Sequence, residues 1–344
     1  MRLKRMAAGM VITVFAGLVS MPTVALSATA STLVVTASTS APTAGTSFSI
    51  TVTAQDPNGA IDPTYAGTVN FMSDDTSPGV VLPAGSQLTN GQGTFSVTLI
   101  NAYEHSITAS DSANSLSGTV TVTVIAAPAD HLRLGTKYPV LAGFPFDFLV
   151  IANDQYGNID QSYADRGTVH FTSSDTSPGV VLPADSSVPS GYYSFTATLD
   201  RAGTQTVAAT DTQSSSITGT LTVFVRPGPA ASLSITAPAT AMKGQPFDIT
   251  VTALDRLGNV SSGSPGGGGP PPYAGTVHFT STDRRALLPP DYTFNALDAG
   301  IHKFSGVTLM TPGNETITAS DVANPSIVGT SRNINVARSS ASSR

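Results

Sequence analysis

Residues 48–54 read Phe48-Ser-Ile-Thr-Val-Thr-Ala54, an alternation of apolar and hydroxyl side chains. Successive side chains of a β-strand point to opposite faces, so this alternation predicts a strand with one buried face and one solvent-facing side. The apolar positions of the alternation return at 146–152 and at 247–253. A strand pattern that occurs three times makes internal repetition the first property to establish.

The chain beyond residue 30 repeats itself with a spacing of about 100 residues. Asp75-Thr-Ser-Pro-Gly-Val-Val-Leu-Pro-Ala84 recurs unchanged at 175–184, and Thr68-Val-Asn-Phe71 returns with one change at 168–171 and 276–279. The third copy is displaced further because it contains a Gly/Pro-rich loop insertion at 261–272. We therefore predict repeat 1 at 31–126, repeat 2 at 127–227 and repeat 3 at 228–337, followed by a disordered tail at 338–344. Each repeat is long enough to bury a core of its own.

The composition excludes several classes of protein. Charged residues make up only 11% of the 344 residues, and 20 Asp stand beside two Glu and four Lys. Glu and Lys favour helices whereas Asp favours turns, so long helices, coiled coils and helix-covered parallel sheets are excluded. A net charge of −6 with few lysines argues against nucleic acid as a partner. Because the chain has no Cys, each core must be stable without disulfides.

The N-terminus has the order of a secretory signal peptide. Three basic residues among the first five precede an apolar run over 6–19, and Ala28-Thr-Ala30 fits a cleavage site. We predict a signal peptide at 1–30 and a secreted or cell-surface location, with no membrane span after cleavage. An uncleaved membrane anchor is the alternative, but the apolar run is shorter than the ~20 residues that a spanning helix needs.

Each repeat has the pattern of an antiparallel β-sandwich. Repeat 1 contains about seven short strands between Leu33 and Val124, separated by Gly, Pro, Asn and Asp, which indicates two sheets with Greek-key connections. In repeat 3 the strand that contains Phe304 is one residue longer and includes Gly306, which predicts a β-bulge. The fold class is therefore all-β, with three tandem sandwiches of ~40 Å each forming a rod-like array of roughly 120 Å.

The repeats resemble the bacterial immunoglobulin-like (Ig-like) modules of large secreted and surface proteins, of the invasin/intimin type or filamin-like. The resemblance is carried by Gly45-Thr-Ser-Phe-Ser-Ile-Thr-Val-Thr-Ala-Gln-Asp56, Tyr65-Ala-Gly-Thr-Val-Asn-Phe71 and their counterparts in the other repeats, and it covers essentially the whole chain after residue 30. It implies three Ig-like domains with an extracellular, non-catalytic role, as spacers, adhesive tips or accessory domains.

The loop after the first long strand is the best candidate for a binding site. It reads Asp56-Pro-Asn-Gly-Ala-Ile-Asp62 in repeat 1, and its counterparts begin at Asp154 and Asp255. Oxygen ligands at this spacing could bind Ca²⁺, which takes 6–8 of them. Turn formation is the simpler interpretation, because Asp starts turns and Gly-Asn adopts their positive φ angles. We therefore assign no metal ligand and predict no cofactor.

Other reactive side chains are also interpreted as structural. His170 and His278 occupy the same outward strand position in separate repeats, whereas zinc requires three or four converging ligands. The tyrosines that precede the Gly-Thr-Val strand are predicted to pack at a sandwich corner rather than to stack on sugars; they are Tyr65, Tyr163 and Tyr273. The pair Asp74-Asp75 could serve a glycosidase, but repeat 2 has Ser174 at the first position. We predict no catalytic residue.

The function predicted from these patterns is that of a non-catalytic secreted or cell-surface protein, structural or adhesive, whose tandem domains act as spacers or bind extracellular proteins, matrix or surface glycans. Two alternatives remain open at this point. One is a dedicated carbohydrate- or matrix-binding module within one repeat. The other is an accessory fragment of a larger extracellular hydrolase.

Overall fold

The computed structural model describes residues 29–165, 167–263 and 268–338. Most of the predicted signal peptide, part of the loop insertion and most of the predicted tail (1–28, 264–267 and 339–344) lie outside the described residues. The described chain consists of 25 short β-strands and three single-turn 3-10 helices. No helix in this described part is long and apolar enough to cross a membrane.

Repeat 1 contains the seven strands that its sequence predicts. They are β1 (Thr32–Ala37), β2 (Phe48–Gln55), β3 (Thr68–Ser73), β4 (Ser86–Gln87), β5 (Gln92–Val97), β6 (Glu104–Asp111) and β7 (Leu116–Thr123). One sheet has the order β1-β2-β5 and the other β4-β3-β6-β7, with all named pairs antiparallel.

Repeat 2 keeps both sheets and adds one strand. Its strands are β8 (His131–Gly135), β9 (Val140–Leu141), β10 (Pro145–Asn153), β11 (Thr168–Ser173), β12 (Ser186–Ser187), β13 (Tyr192–Thr198), β14 (Gly203–Asp211) and β15 (Thr218–Arg226). The sheets run β8-β10-β13 and β12-β11-β14-β15-β9. Single 3-10 turns occupy Tyr163–Asp165 and Pro189–Gly191.

Repeat 3 follows the same course with its second sheet split in two. Its strands are β16 (Ser232–Thr236), β17 (Thr240–Met242), β18 (Pro246–Leu254), β19 (Thr276–Ser281), β20 (Tyr292–Thr293), β21 (Ile301–Thr308), β22 (Gly313–Glu315), β23 (Ile317–Asp321), β24 (Val328–Thr330) and β25 (Ile334–Ala337). The three sheets run β16-β18-β21, β20-β19-β23-β24 and β17-β25-β22, and a 3-10 turn spans Ala296–Asp298.

The predicted bulge lies in β21. Phe247 pairs with Val307 whereas Ile249 pairs with Phe304, so Asp248 faces two residues, and one of them is Gly306 with φ +83°. An L side chain rarely adopts that angle, which explains the glycine. The extra residue returns the strand to its inward register, because Val307 after the bulge and Phe304 before it are both buried.

The antiparallel sandwich of each repeat also has a short parallel contact at one edge, which the sequence analysis does not predict. β9 pairs in parallel with β15, β17 pairs in parallel with β25, and a single bridge joins Thr43 to Ile125 in the same way in repeat 1. The chain leaves the first sheet after its first strand, crosses the edge of the sandwich and runs beside the last strand in the same direction. Two- or three-residue contacts of this kind leave no recognisable alternation in the sequence.

Three separate hydrophobic clusters fill the sandwiches, and each draws its residues from one repeat. The predicted inward residues of β2 are 0–8% exposed. Each cluster contains a phenylalanine pair that packs one sheet against the other, with ring centroids 4.7–4.8 Å apart. These arrangements confirm the predicted all-β, Ig-like sandwich fold.

The three corner tyrosines pack inside the fold, as predicted. Their hydroxyls donate hydrogen bonds of 2.5 Å to Asp111, Asp211 and Asp321. Burial and the neighbouring carboxylate raise the pKa of each tyrosine above its usual range. The phenols therefore stay protonated and act as donors. The glycine that follows each tyrosine, two residues later in repeats 1 and 3 and four residues later in repeat 2, leaves room for this bond, because a Cβ there would lie 1.9–2.2 Å from the aspartate oxygen.

Candidate functional site

The most specific polar contacts between the repeats are made by the loop that the sequence singles out. The side-chain oxygen of Asn158 accepts a 2.9 Å hydrogen bond from the backbone N–H of Ala102, and its amide nitrogen donates a 2.9 Å bond to the carbonyl of Ile100. Repeat 3 makes the same pair of contacts: Asn259 accepts from Ala202 at 2.9 Å and donates to the carbonyl of Asp200 at 2.8 Å. We call these contacts the asparagine junctions.

An aspartate at the start of the same loop orients each asparagine. One oxygen of Asp154 accepts hydrogen bonds of 2.9 Å from the backbone N–H groups of Tyr156 and Asn158. Its other oxygen accepts from the Asn158 amide at 2.9 Å and from the N–H of Ala127, in the linker, at 3.0 Å. Asp255 repeats this pattern and holds the linker at Gly228. The carboxylate therefore fixes both the loop and the entry of the chain into the repeat.

The receiving loop of the preceding repeat is held by a second buried aspartate. Asp75 accepts hydrogen bonds from the N–H groups of Ile100 at 2.7 Å and Asn101 at 3.0 Å, and Asp175 holds the equivalent loop of repeat 2. Burial alone would raise the pKa of Asp75, but the donors around it outweigh burial and lower it. The ionised carboxylate thus keeps the carbonyl of Ile100 positioned for the incoming asparagine.

A side chain two residues before each asparagine covers a glycine of the preceding repeat. A Cβ at Gly45 would lie 1.9 Å from the hydroxyl oxygen of Tyr156, and a Cβ at Gly143 would lie 2.9 Å from a methyl group of Leu257. Both glycines also have positive φ angles, +72° and +76°. These positions therefore require glycine for the backbone conformation and for the approach of the next repeat.

The outer ends of the array lack the residues that make these contacts. Repeat 1 has Ala60 where the other repeats have the junction asparagine, and the exposed Asn58 where they have Tyr156 and Leu257. Repeat 3 has Pro312 at the position of Ala102 and Ala202. Proline has no backbone N–H to donate, so this position cannot make the same bond to an asparagine side chain.

The calcium alternative for these loops is not favoured by the geometry. In repeats 2 and 3 both oxygens of the first carboxylate already accept backbone and amide hydrogen bonds, and the second carboxylate, Asp160, accepts from the N–H of Ala129 at 2.9 Å. Within the described ranges, no group of three or more His, Asp or Glu side chains could hold a metal ion. The loop chemistry is that of turns and linker attachment.

The remaining candidates are dispersed over the structure. His170 and His278 lie on exposed strand faces, as predicted, and each contacts a neighbouring aspartate at 2.7 Å, Asp185 and Asp291 respectively. Asp74 contacts His105 at 3.0 Å and accepts from the N–H of Ser106, so the Asp74-Asp75 pair is engaged in structural hydrogen bonds.

The asparagine junctions were not predicted from the sequence, although their loop was selected as the best candidate for a binding site. The available signal was the difference between repeats. Asn158 and Asn259 occupy equivalent positions of repeats 2 and 3, and repeat 1 has alanine at that position. A residue that turn formation alone required would be needed in all three copies, whereas a residue that docks on a preceding repeat is needed only in the second and third.

Comparison with known proteins gives structural matches only. No protein-family model matches the sequence, and no curated protein does. The Escherichia coli adhesin FdeC matches with 17% identity, 89% coverage of this chain, 96% of that chain and a TM-score of 0.42. InvD of Yersinia pseudotuberculosis matches with 15% identity, coverages of 88% and 96% and a TM-score of 0.38. Invasin, a bacterial integrin-binding protein, matches with 17% identity, coverages of 89% and 60% and a TM-score of 0.35. These identities and TM-scores are too low to assign a family or a function.

Proposed function

We propose that this chain is a non-catalytic secreted or cell-surface protein, structural or adhesive, in which three Ig-like domains at 31–126, 127–227 and 228–337 form a stiff spacer that carries a binding surface. The observation that carries the proposal is the repetition of the asparagine junction at both boundaries between repeats, with the same donors and acceptors. A contact that recurs between different pairs of repeats supports a role in fixing their relative orientation.

The stiffness follows from three contributions at each boundary. Two hydrogen bonds join side chain to backbone, one apolar or aromatic side chain covers a glycine, and the linker is tied to the next repeat through an aspartate. Both linkers also contain proline, which restricts the backbone more than Gly/Ser tethers do. A spacer of this kind would hold its end loops at a set distance from the surface that anchors it.

The polar side chains that are most engaged among the described residues serve the structure of the spacer. The buried aspartates hold backbone N–H groups, and three of them also accept from a tyrosine hydroxyl, so these bonds stabilise loops. No serine or threonine hydroxyl of the described residues forms a hydrogen bond to a histidine, so the Ser–His pair that many covalent catalysts use is not formed there. No observation favours the hydrolase-accessory alternative over a spacer.

Cell fractionation tests the location and the role together. The protein should be recovered from the medium or the cell surface with a new N-terminus near Ser31, and surfaces coated with it should retain cells or matrix components. Recovery from the cytoplasm with Met1 intact would contradict the secreted location. A uniformly cytoplasmic protein that also retains no extracellular material would refute the proposed function as a whole.

A further inference from the structure

A cleft of about 680 Å³ lies at the boundary between repeats 1 and 2, beside the asparagine junction. Its walls come from the loop and strand that follow Asn101, from the linker at Ala126, and from the strand end and loop at Asn153–Ser162. Sites for small molecules in proteins have volumes of about 300–1,000 Å³ and are lined by apolar groups with a few well-placed polar atoms. The cleft fits this description in size and in lining.

One buried polar atom in the lining has no partner. Asn153 is 4% exposed, and its amide nitrogen donates a 2.8 Å hydrogen bond to the carbonyl of Gly157, which fixes the orientation of the amide. Its side-chain oxygen accepts no hydrogen bond from any group in the described structure. A buried carbonyl oxygen destabilises the fold unless a donor reaches it, so this oxygen is an available acceptor for a donor from outside the chain.

Three exposed side chains around the cleft complement that oxygen. The ring of Tyr103 is 71% exposed, and the carboxylate of Glu104 and the guanidinium of Arg133 are both exposed. Neither charged group has an ion pair or a side-chain hydrogen bond among the described residues. The cleft thus presents an aromatic face, the free carboxylate of Glu104 and the free guanidinium of Arg133, whereas its second carboxylate, Asp160, already accepts hydrogen bonds from Ala129 and Ser162.

The boundary between repeats 2 and 3 keeps the asparagine junction but not this lining. At the positions of Tyr103 and Glu104 it has Gly203 and Thr204, and the positions of Arg133 and Asn153 are Ser234 and Leu254. The four side chains are therefore not required to join two repeats. They distinguish one boundary from an otherwise equivalent one, which points to a ligand.

We propose that this cleft binds a neutral saccharide unit. Each sugar hydroxyl both donates and accepts hydrogen bonds, so a saccharide can donate to Asn153 and Glu104 while it accepts from Arg133, and it needs no counter-charge. The apolar C–H face of a sugar ring packs on an exposed tyrosine, whose ring is a rigid platform with a polar end. This assignment deepens the proposed adhesive function, on which it rests, by naming the class of molecule that the chain would adhere to.

Saturation-transfer NMR on the whole secreted chain tests the assignment with a named panel: glucose, galactose, N-acetylglucosamine, N-acetylgalactosamine, lactose, maltose and cellobiose. At least one sugar should bind. Asn153→Leu and Tyr103→Gly, which install the residues of the other boundary, should each weaken binding by about tenfold or more. Tyr138→Ser is the matched control, because Tyr138 is 69% exposed and lies outside the cleft lining, so this variant should bind normally.

Three outcomes would overturn the proposal: no sugar of the panel binds, binding persists in both cleft variants, or an extended peptide library binds the cleft while the sugars do not. In the first outcome the Asn153 oxygen is satisfied by water alone. Adhesion of the coated protein to cells, measured on the same samples, separates this failure from failure of the proposed function. Adhesion that persists without sugar binding would reject the saccharide and leave the adhesive spacer intact.

Discussion

Replacement of Asn158 by alanine copies into repeat 2 the residue that repeat 1 already has at this position, Ala60. The variant loses two hydrogen bonds to the preceding repeat, both 2.9 Å long. A typical intramolecular hydrogen bond contributes about 0.5–1.5 kcal/mol, so the junction should lose about 1–3 kcal/mol. That loss corresponds to a rise of about 5- to 150-fold in the ratio of undocked to docked junctions.

The absence of cysteine makes this shift measurable with little disturbance, since two introduced cysteines can be spin-labelled selectively. Met72 in repeat 1 and Val181 in repeat 2 are suitable positions, because their side chains are 67% and 58% exposed. The parent protein should give a narrow distribution of label distances by pulsed electron resonance. Asn158→Ala should broaden that distribution, and Ala60→Asn, the matched control, should leave it unchanged. An equally narrow distribution in Asn158→Ala would refute the reasoning.

Four further predictions concern stability. Gly219→Ala should destabilise repeat 2 by about 3 kcal/mol or more in thermal unfolding, because a Cβ there would lie 2.0 Å from the backbone oxygen of Leu132, whereas Gly135→Ala, which meets nothing within 4 Å, should be neutral. Burial opposes ionisation of Asp283, but hydrogen bonds to the carboxylate outweigh it and lower its pKa to about 2, below an unfolded value of about 3.9; its stabilisation should therefore be complete above pH ~4 and lost as the pH falls towards 2, and Asp283→Asn should flatten that part of the pH–stability curve. Tyr273→Phe removes the donor to a buried carboxylate and should cost about 1–3 kcal/mol, measured by urea unfolding; an unchanged midpoint would contradict the buried bond. Melting temperatures in Ca²⁺ and in EDTA should agree, because the candidate loop carboxylates already accept backbone hydrogen bonds, and a rise in Ca²⁺ would restore the metal hypothesis.

Much of the sandwich could be predicted because its determinants are periodic. The alternation in Phe48–Ala54 specifies which face of the strand is buried, and the repetition of that pattern places the same strand in each repeat. The bulge at Gly306 was also predictable, since one additional residue next to glycine is the simplest way to restore the inward register. In each case a local pattern carried the information, and no distant contact was needed.

The close approaches between sheets and between repeats could not be predicted in the same way. A Cβ at Gly118 would lie 2.0 Å from the backbone oxygen of Leu33, in a strand of the other sheet, and nothing beside Gly118 in the sequence indicates that neighbour. The contact of Asn158 with Ile100 and Ala102 joins loops 56–58 positions apart. The unpartnered oxygen of Asn153 likewise exists only once the fold has buried it. Such contacts depend on tertiary geometry. In the sequence they are visible only as residues that differ between equivalent positions of the repeats.

Small-angle X-ray scattering from the secreted chain tests the central claim most directly, which is that junctions of fixed geometry join the repeats into an extended spacer. Three sandwiches of ~40 Å placed end to end should give a maximum dimension of roughly 120 Å. The average dimension should become shorter when Asn158 and Asn259 are both replaced by alanine. A scattering profile of the unsubstituted protein that fits three domains on flexible linkers would contradict the fixed junction geometry. So would a profile that the double replacement leaves unchanged.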